Sequence, residues 1–119
     1  MLKTRDMHEL SIAMGIVRIA EDQTRKAGAS RVEVIEMEIG ELAGIAFDSL
    51  DFVWPVAVKD TVLEQAEKRI AVIRGEALCM DCHTRFGLQQ LYEPCPNCSS
   101  NLKVIEKGKE LRVKALEVV

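Results

Sequence analysis

Aromatic residues are scarce in this chain of 119: three phenylalanines, one tryptophan and one tyrosine, 4% of the whole. A core built from it must be mostly aliphatic. No apolar run approaches the roughly 18 residues needed to span a bilayer. The first ten residues, MLKTRDMHEL, hold no apolar stretch of the kind that opens a secretory signal. There is no excess of positive charge either: 16 Lys and Arg face 19 Asp and Glu, a net charge of −3. That balance argues against phosphate-driven binding of nucleic acid. The sequence contains no repeat, no low-complexity tract and no long linker. No nucleophile stands in a recognisable pattern with a base, so no enzymatic activity is expected. What remains is ordinary globular material, 48% hydrophobic and 29% charged, enough for one compact domain or one domain with a small insert. Four cysteines in a chain with no export signal point to a reducing, cytoplasmic setting and to metal binding.

The periodicity predicts a short list of elements. Residues 10–27 read as a helix, with Leu10, Ala13, Ile16 or Val17 and Ala20 at three-to-four spacing. Gly28 is placed to end it, and Arg25 and Lys26 suit the negative end of its dipole. Residues 31–39 read as a strand whose alternation slips by one between Val34 and Ile35, which predicts a bulge or a strand covered on both faces. Residues 46–58 carry a second helical pattern, with Phe47, Leu50, Val53 and Trp54 on one face and Pro55 expected to kink or break it. Trp54 is expected in the core or as a lid over the sheet. Residues 68–78 read as one strand leading into Cys79, and 102–106 and 110–118 as strands around a turn at Lys107–Gly108–Lys109. The order predicts an α+β fold. Two helices pack on a small, mostly antiparallel sheet, with an inserted zinc-ribbon-like four-cysteine segment. The expected division is an N-terminal extension at 1–6, an α/β body at 7–78 and 99–119, and a metal-binding segment at 79–98.

The strongest chemical signal is Cys79-Met-Asp-Cys82, twelve residues, then Cys95-Pro-Asn-Cys98. Each Cys-x-x-Cys turn aims two thiolates at one cation, and two such knuckles supply a tetrahedron of sulfur. Zinc suits this donor set, being soft enough for sulfur and indifferent to d-electron geometry. Pro96 and a left-handed Asn97 fit a tight second knuckle. Phe86 and Tyr92 are expected to supply the apolar contacts of this segment. Three other readings stay open on the residues alone. Iron would accept the same four sulfurs. Cys79-Met-Asp-Cys82-His83 matches the attachment pattern of c-type haem, without the export signal that pattern requires. A dithiol redox pair would need one reactive thiolate in a thioredoxin-like context. His83 beside Cys82 is read as a surface residue, with ligation in place of a cysteine as its alternative.

The other histidine, His8, sits in Met7-His8-Glu9-Leu10-Ser11, read as lying just before the first helix. On its own this is an ordinary helix-end histidine with Glu9 near the positive end of the dipole. The Met7-His8-Glu9-Leu10-Ser11 start, the aliphatic helix behind it, the strand ending Ile39-Gly40-Glu41-Leu42 and the doubled Cys-x-x-Cys together resemble the hydrogenase nickel-incorporation accessory proteins, the HypA/HybF family. The closing Leu111-x-Val113-x-x-Leu116-Glu117-Val118 is similar to the family's last strand. The resemblance covers about Met7 to Val118.

That resemblance implies a non-catalytic nickel metallochaperone. It carries one structural zinc, on Cys79, Cys82, Cys95 and Cys98, and one transient nickel. It implies nickel bound by His8, with Met7 and Glu9 as neighbouring backbone or terminal donors. It implies delivery to the maturing large subunit of [NiFe]-hydrogenase, and in some organisms service to urease accessory proteins, together with a nickel-handling GTPase. No nucleic acid and no membrane partner is implied. The chain departs from the pattern in having six residues before Met7. Either Met7 is the functional start, or nickel is held by a different donor set that draws on Asp6 or Glu9 oxygen. The competing reading is a zinc-ribbon module for protein or RNA interaction, in which His8 has no nickel role.

Overall fold

A computed structural model describes residues 4–119. The elements run α1 (Thr4–Lys26), β1 (Val32–Gly40), α2 (Phe47–Val58), β2 (Glu67–Ile73), β3 (Glu76–Cys79), β4 (Arg85–Gly87), β5 (Lys103–Lys107) and β6 (Leu111–Val118). They form an α+β fold with two helices, a three-stranded sheet in the order β2-β1-β6, and a second in the order β4-β3-β5. Two compact units result. One contains residues up to Met37, Ile45–Ile70 and Val113–Val119; the other contains Glu38–Gly44 and Ala71–Arg112. No helix among the described residues is long and apolar enough to cross a membrane.

In the first unit, α1 buries Ala13, Ile16, Val17 and Ala20, one stripe at three-to-four spacing. Its end is a complete Schellman motif. Gly28 adopts φ +66°, its N–H donates to Arg25 O at 3.0 Å, and the Ala29 N–H donates to Thr24 O at 3.0 Å. The helix is already formed at Thr4, the first described residue and well before the expected residue 10, so His8 lies on α1 rather than ahead of it. The cause is polar. The Ser49 hydroxyl donates to the buried Asp6 carboxylate at 2.8 Å, and the Ala46 N–H donates to Glu9 Oε2 at 3.3 Å. Ala46 caps α2 with no side-chain bond of its own. The α1 carboxylates therefore serve the opening turn of α2, where the helix dipole favours negative charge.

Helix α2 buries Leu50, Val53, Trp54 and Val58 and runs through Pro55 without the expected break. Pro55 is exposed, so the Asp51 carbonyl it leaves without a donor lies on the watered side. Trp54 is a core residue, with Lys68 Nζ 5.0 Å from its ring centre. On β1, burial falls on Val32 and then on Ile35, Met37 and Ile39, so the alternation changes phase where the sequence pattern does. Reciprocal bonds between Arg31 and Val119, at 3.2 and 3.0 Å, make β1 and β6 antiparallel.

In the second unit, β3 pairs antiparallel with β4 and with β5. Residues 68–78 do not form one strand. They divide at Arg74–Gly75 into β2 and β3, which belong to different sheets. Likewise β5 and β6 flank the Gly108 turn without pairing with each other. Glycine is what permits both transfers. A Cβ on Gly75 would stand 2.2 Å from Leu88 O, and one on Gly40 would stand 1.9 Å from Gly108 O. Through this gap the Leu42 N–H donates to Gly108 O at 2.6 Å, the Gly40 N–H to Glu110 O at 2.7 Å and the Glu41 N–H to Ile73 O at 2.9 Å. Glu41 completes the clasp, its carboxylate accepting from the Gly75 N–H at 3.0 Å. The Ile39-Gly40-Glu41-Leu42 strand end is thus a backbone crossing point.

One buried polar atom is left over in the first unit. Thr24 is 2% exposed, and its hydroxyl has no hydrogen-bond partner among the described residues. Thr24→Val keeps the shape and removes the desolvated group. It should raise stability by about 1 kcal/mol, read as a higher urea midpoint of the metal-loaded protein. A lower midpoint would mean that the hydroxyl is satisfied.

Candidate metal centre

The cysteine quartet is assembled by two knuckles of the same design. In the first, the His83 N–H donates to Cys79 O at 3.0 Å and the Cys79 N–H to Thr84 O at 2.9 Å. In the second, the Ser99 N–H donates to Cys95 O at 2.8 Å and the Cys95 N–H to Ser100 O at 2.9 Å. The residue after each second cysteine is left-handed, with φ +62° at His83 and +64° at Ser99. The expected left-handed Asn97 is therefore misplaced by two positions. The chain must reverse after the second sulfur has been presented, not before it. Asn97 instead donates through Nδ2 to Cys82 Sγ at 3.4 Å and to Thr84 Oγ1 at 3.3 Å. The Ser100 hydroxyl donates to the Asp81 carboxylate, joining the knuckles a second time.

These turns bring four ligand atoms together. Cys79 Sγ lies 3.6 Å from Cys98 Sγ, Cys82 Sγ lies 3.6 Å from Cys95 Sγ, and all four sulfurs fall within 4.8 Å of one another. A tetrahedral cation with bonds of about 2.3 Å to sulfur needs its sulfurs about 3.8 Å apart. The residues fit a structural metal site, and the donor set is consistent with zinc. None of the four is in a disulfide. Thr84, hydrogen-bonded to Cys82 Sγ, and Asn97 pull that thiol down to about 5. Cys98 takes a backbone hydrogen bond from Ser100 that favours its thiolate, but burial and the neighbouring sulfurs outweigh this and push it up to about 12. Four sulfurs this close resist joint ionisation, and a divalent cation between them reverses that resistance.

The centre and the small core are one object. The buried cluster of this unit is Leu42, Ala77, Cys79, Phe86, Leu88 and Cys95, with Cys82 and Ile105 packed against it. Phe86 supplies the aromatic contact expected of it. Tyr92 does not, being 77% exposed in the loop before Cys95. His83 is exposed and takes no part in the quartet.

The amino-terminal residues look different. His8 has an exposed side chain, and its Nδ1 lies 3.0 Å from Oε2 of the buried Glu9 carboxylate. Burial raises the Glu9 pKa, but the bonds from His8 and the Ala46 N–H, with the attraction of the imidazole, prevail and hold it below its usual value. Met7 is exposed, and Asp6 is buried against Ser49. Among the described residues, the cysteine quartet is the one group of three or more potential ligands whose donor atoms converge. Two features escaped the sequence reading. The support of Cys82 by Thr84 and Asn97 needs the knuckles to be folded together, and the Asp6–Ser49 bond joins residues 43 apart.

A closed set of four thiolates beside a small α/β body defines a metal-binding protein with no open coordination position for chemistry. Residues 7–118 match the family model described as hydrogenase/urease nickel incorporation, metallochaperone, HypA. The chain belongs to the HypA family, whose members are non-catalytic metallochaperones of hydrogenase maturation. The hydrogenase maturation factor HypA of Parabacteroides distasonis is 47% identical over 112 residues, covering 94% of this chain and 97% of that protein. That of Francisella philomiragia is 41% identical over 110 residues, covering 92% and 97%. The solution structure of the Ni metallochaperone HypA from Helicobacter pylori shares the fold, with a TM-score of 0.66, 24% identity, and coverage of 93% of this chain and 97% of that one. A second HypA solution structure gives 0.66 at 26% identity, over 95% and 97%.

The left-handed His83 carries the cost of a Cβ in that conformation, about 1 kcal/mol. His83→Gly should raise the urea midpoint of the metal-loaded protein and leave one metal per chain, measured by elemental analysis. Loss of the metal would instead make His83 a ligand.

Proposed function

We propose that this chain binds Ni(II) at His8 and passes it to the maturing large subunit of [NiFe]-hydrogenase, with urease as a further client in organisms that have one. The observation that carries this reading is the family match from Met7 to Val118, which takes in the Met7-His8-Glu9 start. In the same reading Cys79, Cys82, Cys95 and Cys98 hold a structural zinc. A nickel-handling GTPase and the hydrogenase large subunit are the partners, and the cytoplasm is the setting.

The local chemistry supports an imidazole donor. With Glu9 accepting from Nδ1–H, a neutral His8 keeps its lone pair on Nε2, free to bind a cation. The imidazole is exposed, as a site that must give up its cargo requires. The backbone donors at Met7 and Glu9 are a separate matter. In a helix that starts at Thr4, the His8 N–H is committed to the Thr4 carbonyl. An amide chelate at Met7, His8 and Glu9 therefore requires the first turns of α1 to unwind. Asp6 and Glu9, through Ser49 and Ala46, oppose that unwinding.

His8→Ala in the zinc-loaded protein should weaken nickel binding by at least about tenfold, roughly 1.4 kcal/mol, in a titration followed by calorimetry. The zinc content should stay unchanged. Unaltered nickel affinity in that variant would remove His8 from the site.

A further inference from the structure

β6 ends the sheet order β2-β1-β6, and among the described residues no strand pairs with its other edge. A row of backbone N–H and C=O groups is open there. A groove of about 420 Å³ runs beside it, with Ile19 and Gln23 of α1 and Ala27 just past its end on one side, and residues 113–116 and 118 of β6 on the other. Ile19, Gln23 and Ala27 are four apart and form one stripe. Four of the five β6 residues are consecutive. Successive side chains of a strand point to opposite faces, so a cavity reached by four in a row lies against the strand's edge.

The groove's side chains are apolar apart from Gln23 and one charge. Ile19 is 48% exposed, although its size suits it to burial. Lys114 is the only charged residue of the lining. It has no ion-pair partner among the described residues, whereas Arg112 two positions earlier is paired with Glu38. An open strand edge, an apolar trough along it and a single unanswered cation specify an occupant. We propose that this groove takes an extended segment of a partner protein. The segment adds to β6 as a further strand, lays alternate apolar side chains along Ile19 and Ala27, and sets a carboxylate on Lys114.

A second copy of this chain is a poorer occupant. Two antiparallel strands related by a two-fold axis place residues of equal parity opposite one another. Lys114 then never stands opposite Glu117. It meets itself in a register centred on residue 114, Arg112 in one centred on 113, and Leu116 in one centred on 115. No register within β6 answers the charge, and the one centred on 112 reaches only Glu110, whose carboxylate already accepts from the Gly108 N–H at 2.8 Å.

The test uses the full, metal-loaded chain labelled with nitrogen-15. The probe is a nine-residue peptide blocked at both ends, alternating valine and threonine around a central glutamate. The proposal expects shifts at the amides of residues 113–118 and of Ile19, Gln23 and Ala27, with slowed exchange on β6. Lys114→Glu should weaken binding by about tenfold and bind the matching lysine-centred peptide about tenfold better than the unmodified chain does. The amide spectrum of the free variant reports that it is folded. Unchanged β6 amides at millimolar peptide would overturn the proposal. So would binding indifferent to the charge exchange, or concentration-dependent self-association through β6.

Discussion

The second unit depends on the mutual approach of four sulfurs. Cys79 and Cys95 are fully buried, and they make up two of the six residues in that unit's core cluster. Without a cation the quartet is a liability, because sulfurs within 4.8 Å of one another resist ionising together. With one, each thiolate becomes a bond, and the two Cys-x-x-Cys turns of a chain poor in aromatics are tied at one place. The metal stands in for the apolar volume that a segment of this size lacks. The remaining contacts follow from it. Thr84 and Asn97 brace Cys82, Ser100 reaches Asp81, and the left-handed His83 and Ser99 turn the chain away from the ligands.

The first unit is held differently. Its helices bury aliphatic stripes in the ordinary way, and two carboxylates on α1 add direction. Asp6 and Glu9 serve the opening of a helix whose own cap residue, Ala46, offers no side-chain acceptor. That placement explains why α1 extends through Met7 and His8 instead of starting behind them. Glu9 also meets the His8 ring, its Oε2 lying 3.0 Å from Nδ1.

Elements with strong periodicity were legible in the sequence. The α1 stripe from Ala13 to Ala20, the Gly28 stop, the buried Leu50, Val53 and Trp54 of α2 and the phase change on β1 appear where residue type alone places them, while Leu10 and Phe47 are only half-buried. The quartet was legible because sulfur spacing is a geometric statement. Three features were not. Residues 68–78 read as one strand because both halves are apolar, and only a close backbone approach at Gly75 shows that they part. Pro55 does not break α2, because its exposed position lets water take up the freed carbonyl. The first turns of α1 carry Asp6 and Glu9, whose partners Ser49 and Ala46 no local window contains.

In the second unit the metal-binding quartet and the core are one structure. Hydrogen exchange of the full chain before and after removal of its metal by a chelator tests this. The account predicts that amides of β3 (Glu76–Cys79) and β5 (Lys103–Lys107) lose protection, while α1 beyond its first turns and α2 keep theirs. Protection retained in β3 and β5 after the metal is gone would contradict it.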